Sequence, residues 1–322
     1  MPSRPSTLFA DLDVRVETDV PLARHTWYGI GGPADFLVHP QSVEALTTLV
    51  WRAKRESIPV RVLGSGANLL VADEGVDGIV LKLDAPCFTE LRYNARGNVE
   101  ALRVGAGADL AKTLNDTVRR GLEGLSPLAG IPASVGGAVR MNAGGAYGAI
   151  GDAIHSIGCV SETGEMRVYP ASELAFGYRS TNIPDPIIVW AAFRLQDTDP
   201  VALRKRVMEI FNFKKSTQPL ADHSAGCMFK NPTDPKSGER VSAGKLIDLA
   251  GLKGASVHGA EVSERHGNFV TVKPGTPARD VVELVRQVKA RVHAVHGIDL
   301  HCEVVYWSRG GGRESAGNEV MS

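Results

Sequence analysis

Two segments of this chain contain so much glycine that they restrict what the backbone around them can do. The first, Gly64-Ser65-Gly66-Ala67-Asn68, directly follows a strand expected at Pro59 to Leu63. The second runs from Gly130 to Gly148 and packs Gly, Ala, Ser and Asn around the hinge Ile131-Pro132. Glycine loses more freedom on folding than any other residue, so dense glycine marks backbone that must turn sharply or pass close to something. Alone, the first segment also reads as an ordinary tight turn. The second reads as too glycine-rich for any regular element. A flexible surface loop does not suit it, because Ala138, Val139, Met141 and Ala143 favour burial. Together the two segments point to a large nucleotide-type cofactor in a concave, largely apolar site. A dinucleotide turn of the Rossmann kind fails: Leu69 stands where the third glycine belongs, although Asp84 lies about 20 residues on. Leu69 to Gly78 is also too short and too turn-rich for the crossover helix.

Around these segments the pattern is mixed. Short strands are expected at Asp35 to His39, Pro59 to Leu63, a stretch ending at Leu83, Val99 to Val104, Ile154–Val160, Met166 to Tyr169 and 187 to 195. Ser42 caps a helix with Val43, Leu46, Leu49, Val50 and Ala53 on one face, and Asp109 to Arg120 forms another. Asp197-Thr-Asp-Pro200 reads as a boundary, followed by a helix from Val201 to Phe213 with a basic face. A late helix has Thr276 as cap, Pro277 in its first turn and Gly297 at its end. A strand DLHCEVVYW follows it, with Leu300, Cys302, Val304 and Tyr306 on one face and His301, Glu303, Val305 and Trp307 on the other.

The 36 basic and 36 acidic residues cancel, so no global pull toward nucleic acid or an anionic membrane is indicated. No run reaches the roughly 18 apolar residues of a membrane span, and the N-terminal stretch lacks the apolar core of a secretory signal. Cys87, Cys159, Cys227 and Cys302 form no metal-type pairs and read as reduced thiols of a cytoplasmic protein. His293, His296 and His301 are separated by a helix end and a strand, so no metal site is expected.

One cysteine is unusual. Cys227 lies in PLADHSAGCMFKNP, among Gly, Ala, Ser and Asn, where a structural cysteine would sit in an apolar run. The ordered set HTWYGIGGPADFLVHP, VLGSGANLLVADEGVDGIVLKL, GIPASVGGAVRMNAGGAYG, GYRSTNIP, SAGCMFKNP, AGKLIDLAGLKG, VSERHGNFVTV and HCEVVYW resembles the UDP-N-acetylenolpyruvoylglucosamine reductase family, from about His25 to Trp307. The resemblance implies an α+β fold: a two-subdomain FAD-binding region of the vanillyl-alcohol-oxidase (PCMH) type over 20–198, divided near 84, then a C-terminal α+β substrate domain over 199–308. Residues 309–322 read as a disordered tail. FAD would be tightly bound, its pyrophosphate on Gly64, Ser65, Gly66, Ala67, Asn68 and Leu69. Its ring would lie against Ile131-Pro132 and Asn142, Ala143, Gly144 and Gly145, with Gly130, Ser134 and Gly137 also binding the cofactor.

The activity so implied is NADPH-dependent reduction of UDP-N-acetylglucosamine enolpyruvate to UDP-N-acetylmuramate for peptidoglycan. The flavin delivers hydride to the vinyl carbon, and charge then develops on the neighbouring carbon and its carboxylate. Arg179 would fork onto that carboxylate, and Glu303 would hydrogen-bond the enolate if kept protonated. Cys227 stands where family members commonly carry a proton-donating serine, and its more acidic thiol suits the same role. Lys230 and Asn231, with Gln218, would hold the substrate diphosphate or sugar. No tyrosine-bearing loop insertion is found near Tyr178 to Phe193, so the chain resembles the shorter subclass. Ala133, where glycine is usual, and the extra glycine in Gly144-Gly145 are smaller departures. The partners implied are the UDP-sugar and NADPH, with no nucleic acid or membrane and a monomer favoured. The rivals are an oxidase on the same flavin fold, which leaves SAGCMFKNP and Glu303 unexplained, and a catalytically dead nucleotide-sugar-binding protein. A hydrolase built on Cys227 and His223 lacks an orienting acid and a nucleophile elbow.

Overall fold

The computed structural model describes residues 5–95, 97–98 and 100–310. The expected tail lies, from residue 311 on, outside the described residues, as does Val99 at the start of an expected strand. The chain divides into two compact units. The first takes the chain up to Thr18, Phe36–Ser65 and Gly78–Lys214; the second takes Asp19–Asp35, Gly66–Asp77 and the chain from Lys215. The Gly64 turn therefore begins in one unit and ends in the other.

The first unit holds two cores. A four-stranded sheet runs in the order Val14–Pro21, Pro33–Pro40, Val76–Leu81, Val60–Val62. The helix Val43–Arg55 starts where the Ser42 hydroxyl accepts from the Ala45 N–H, and buries Leu46, Leu49, Val50 and Ala53 against Val38, Val60, Ile79 and Leu81. The second sheet has five antiparallel strands: Met166–Pro170, Ile154–Val160, Ile187–Phe193, Leu102–Gly105 and Leu91–Tyr93. Three helices, Leu110–Arg119, Val135–Arg140 and Pro200–Thr217, add buried residues to its core.

The second unit is built on the antiparallel sheet Ser224–Cys227, Phe269–Val272, Ala260–Val262, Ser256–Val257. Val281, Leu284, Val285, Val288 and Val292 of the long helix Ala278–His296 lie in one core with Ile247 of the helix Ala243–Leu249. Val305–Trp307 pairs in parallel with Leu69–Val71.

Three local expectations change. The second glycine segment is not without regular structure: Ser134 accepts from the Gly137 N–H and starts the helix Val135–Arg140, which buries Val135, Ala138 and Val139. Gly136 makes this possible, since a Cβ there would stand 2.8 Å from the Ala106 Cβ. The last strand is only Val305–Trp307. Leu300, Cys302 and Val304 are buried as expected, but then the phase shifts: Trp307 is buried, whereas Tyr306, placed with them by simple alternation, is only half-buried. The late helix is capped from a distance. Asp73 accepts from the Ala278 N–H at 2.6 Å and the Arg279 N–H at 3.2 Å, while the Thr276 hydroxyl donates to the Lys273 carbonyl. Gly297, at φ +67, ends that helix as expected.

Candidate active site

In the first unit, the carbonyl of Gly64 accepts from the Lys82 ammonium. Gly64 also faces Ser134, whose hydroxyl would stand 2.5 Å from a Cβ at this position. Burial is the main cause that lowers the Lys82 pKa from its usual value; nearby Asp84 opposes it. The second glycine segment is pinned by side chains. Asn142, at φ 42, donates from Nδ2 to the Gly177 carbonyl at 2.8 Å and accepts at Oδ1 from the Gly151 N–H at 3.1 Å. Ile131, Pro132 and Ala143 are half-buried, and Gly130 bends the chain at φ +74.

Arg179 lies at the turn between Phe176–Gly177 and Ser180–Thr181. Its backbone takes φ 53, a left-handed conformation that disfavours side chains and is retained where the surroundings enforce it. Its guanidinium donates to the Gly144 carbonyl at 2.9 Å. Arg179, Asn142 and Gly144 are thus brought together.

In the second unit, Gly66, at φ +70, packs against the main chain of His25 and Thr26, with the Thr26 Cα 2.9 Å from where a Cβ would stand. Among the described residues no acceptor pairs with the N–H groups of Ser65, Gly66 or Ala67, so this turn offers main-chain donors to an anion. Asn68 does other work: its side chain donates to the Glu303 carbonyl at 3.1 Å, and its own carbonyl accepts from the Val305 N–H. The Glu303 N–H donates to the Met228 carbonyl at 2.8 Å, and Phe229 bridges Cys302. Cys227 and Glu303 therefore lie on two directly bonded segments, with Asn68 bonded to the second. Cys227 is half-buried, its sulfur in no disulfide, at a bulged end of its strand. The preceding Gly226, at φ +76, opens onto empty space: a Cβ there would meet nothing within 4 Å.

The remaining substrate candidates also lie in the second unit. Lys230 is half-buried, and its N–H donates to the His301 carbonyl. Asn231 spends its Oδ1 on the Ala243 N–H, at the start of the helix Ala243–Leu249. Gln218 is half-buried in a turn, its carbonyl accepting from the Leu220 N–H. His293 is bonded to Asp299 and His296 to the Leu246 carbonyl, and among the described residues no group of three metal-ligating side chains occurs. No described helix is long and apolar enough to cross a membrane.

The sequence reading missed Lys214, buried to 9% exposure with its ammonium 2.7 Å from the Ala129 carbonyl. A signal was present: Lys214 continues the buried stripe Leu203, Val207, Ile210.

Residues 34–169 match the family model of the FAD binding domain, and 218–307 match that of UDP-N-acetylenolpyruvoylglucosamine reductase, C-terminal domain. A UDP-N-acetylenolpyruvoylglucosamine reductase of Desulfosudis oleivorans is 40% identical over 309 residues, covering 93% of this chain and 96% of its own. The chain belongs to the UDP-N-acetylenolpyruvoylglucosamine reductase family. A second relative of that name, from Heliobacterium modesticaldum, is 39% identical over 299 residues and 92% of either chain. The crystal structure of the reductase from Thermus caldophilus superposes with a TM-score of 0.77 at 38% identity, covering 92% of this chain and all of that one. The expected fold thereby stands: an α+β FAD-binding region followed by a C-terminal α+β domain. The protein is a flavin-dependent oxidoreductase of peptidoglycan precursor synthesis, with FAD as its cofactor. The residues present fit that cofactor. The turn at Ser65 to Ala67 offers main-chain donors suited to a diphosphate, and Gly145 leaves its side of the second glycine segment open, with nothing within 4 Å of a Cβ.

Proposed function

We propose that this chain reduces the enolpyruvyl group of UDP-N-acetylglucosamine enolpyruvate to the lactyl ether of UDP-N-acetylmuramate, with NADPH as the source of electrons. Bound FAD supplies the hydride that the vinyl CH2 carbon receives, and Gly64 to Leu69, Gly130 to Ser134, Gly137 and Asn142 to Gly145 would hold it. Arg179 pairs with the substrate carboxylate and keeps its developing charge in place. Glu303, as the acid, donates a hydrogen bond to the enolate-like oxygen. Cys227 gives its thiol proton to the carbon beside the carboxylate, completing the C–H bond, and water restores the thiol. Lys230, Asn231 and Gln218 hold the diphosphate and sugar.

The observation that carries the reading is the pairing of the Met228 and Glu303 main chains, which sets Cys227 and Glu303 on neighbouring segments. A thiol with an ordinary pKa of about 8.5 yields a proton far more readily than a serine hydroxyl, so cysteine suits this role chemically. The four cysteines form no disulfide, which suits a reducing compartment, and we read the protein as cytoplasmic.

The test is an anaerobic absorbance trace. NADPH should bleach the yellow flavin, and UDP-N-acetylglucosamine enolpyruvate should then restore the colour. Recovery only on admitting air would replace this reading with an oxidase. In Cys227→Ala, bleaching by NADPH should persist while recovery slows by at least about 100-fold; Cys227→Ser should keep substantial turnover. Undiminished recovery in Cys227→Ala would remove the proton-donor role.

A further inference from the structure

Helix Pro200–Thr217 buries Leu203, Val207, Ile210 and, next on the same stripe, Lys214. An ammonium in such a position costs several kcal/mol unless it is compensated, and an aliphatic residue would complete the stripe without that cost. The ammonium bonds the Ala129 carbonyl at 2.7 Å, immediately before the hinge Gly130-Ile131-Pro132. Its stem passes Gly130, where a Cβ would come within 3.3 Å of the Lys214 Cδ. Arg179 binds the second glycine segment in the same manner, through the Gly144 carbonyl at 2.9 Å. The helix end and the second glycine segment meet here: the Tyr147 ring packs edge-on against Phe213, the neighbour of Lys214, at 6.3 Å, and burial first, with the Arg179 charge second, pushes the Lys214 pKa down to about 8. A helix and a hairpin turn of the first unit thus each bring a cation to the same glycine framework, although the two repel. One anion can accept from both, since an ammonium can donate to a carbonyl and a carboxylate at once.

We propose that Lys214 is a further substrate-binding residue, forming with Arg179 a two-cation seat for the carboxylate of the enolpyruvyl group. This rests on the function proposed above, in which Arg179 receives that carboxylate. Like the guanidinium, Lys214 would hold the charge through the reaction, and it would also distinguish ligands that carry the carboxylate from those that lack it.

The test titrates oxidised holoenzyme with UDP-N-acetylmuramate, which has the carboxylate, and with UDP-N-acetylglucosamine, which lacks it, each followed by the change in flavin absorbance. Lys214→Gln removes the charge while keeping a donor for the Ala129 carbonyl. It should weaken UDP-N-acetylmuramate by at least about 10-fold and leave UDP-N-acetylglucosamine within about 3-fold. Lys214→Arg should recover most of the difference. Equal weakening of both ligands, or of neither, overturns the seat. So does a changed flavin reduction potential with ligand discrimination intact, which would assign the cation to the reduced flavin. Should Lys214→Gln lose its flavin, Lys214→Arg decides: preserved preference for UDP-N-acetylmuramate supports the seat, and lost preference overturns it. Wild-type holoenzyme that binds neither ligand would instead overturn the underlying function, and the seat with it.

Discussion

Gly66 and Gly145 belong to the two glycine-rich segments, and the protein uses them in opposite ways. At Gly66 the space a side chain would fill is already occupied by the main chain of His25 and Thr26, and the backbone is left-handed at φ +70. At Gly145 that space is empty for 4 Å. Gly64 lies between these extremes, because what crowds it is the Ser134 hydroxyl rather than backbone. Glycine in the first segment is thus required by the protein's own packing. In the second, Gly145 leaves that space open. Composition alone treats the two alike.

Substitutions sharpen this contrast. Gly66→Ala should have the largest effect. It adds a left-handed strain of about 1 kcal/mol to a backbone collision, and a loss of at least about 3 kcal/mol is expected in denaturant unfolding. A variant as stable as the wild type would end the claim that the protein fills this space. Gly64→Ala should cost about 1–3 kcal/mol by overpacking against Ser134. Here the double variant Gly64→Ala with Ser134→Ala should be no worse than Gly64→Ala alone, because removing the hydroxyl relieves the clash even though a helix cap worth about 1 kcal/mol is lost. Strict additivity of the two losses would show that the contact does not matter. Gly145→Ala should change stability least, by no more than about 0.5 kcal/mol. If this face is left open for the cofactor, the same variant should nonetheless release flavin more readily on dilution. Unchanged flavin retention would make Gly145 an ordinary exposed turn.

Much of the fold was legible because its elements follow local rules. Ser42 with the apolar period behind it gave the helix Val43–Arg55, and Asp109 likewise marked the start of Leu110–Arg119. The strands Ile154–Val160 and Met166–Pro170 lay within a residue of their expected bounds. The misjudged features depend on distant partners. Val135–Arg140 is helical because Ala106 admits Gly136 at close range and the core takes Val135 and Val139, which no local propensity of a glycine pair reveals. The start of Ala278–His296 is fixed by Asp73, some two hundred positions earlier. Of the candidate site, residue types were legible and neighbours were not. Asn231 read as a substrate ligand, and the bond of its Oδ1 to the Ala243 N–H could not be read from the sequence. Lys214 lies beyond the expected helix end at Phe213, and only the structure, where the helix runs on to Thr217, shows it buried.

The sequence by itself determined the family and the cofactor class, because these depend on residue types in a fixed order along one chain. It also marked the starts of Val43–Arg55 and Leu110–Arg119, because a cap and the first turn it serves are only a few residues apart. The tertiary structure alone decided which glycines are crowded and which are open, that Cys227 and Glu303 sit on bonded segments, and that a lysine lies buried beside the hinge at Gly130. Each of these is a matter of through-space distance between positions far apart in the chain, and hydrogen bonding, steric exclusion and Coulomb attraction all act over that distance rather than along the sequence.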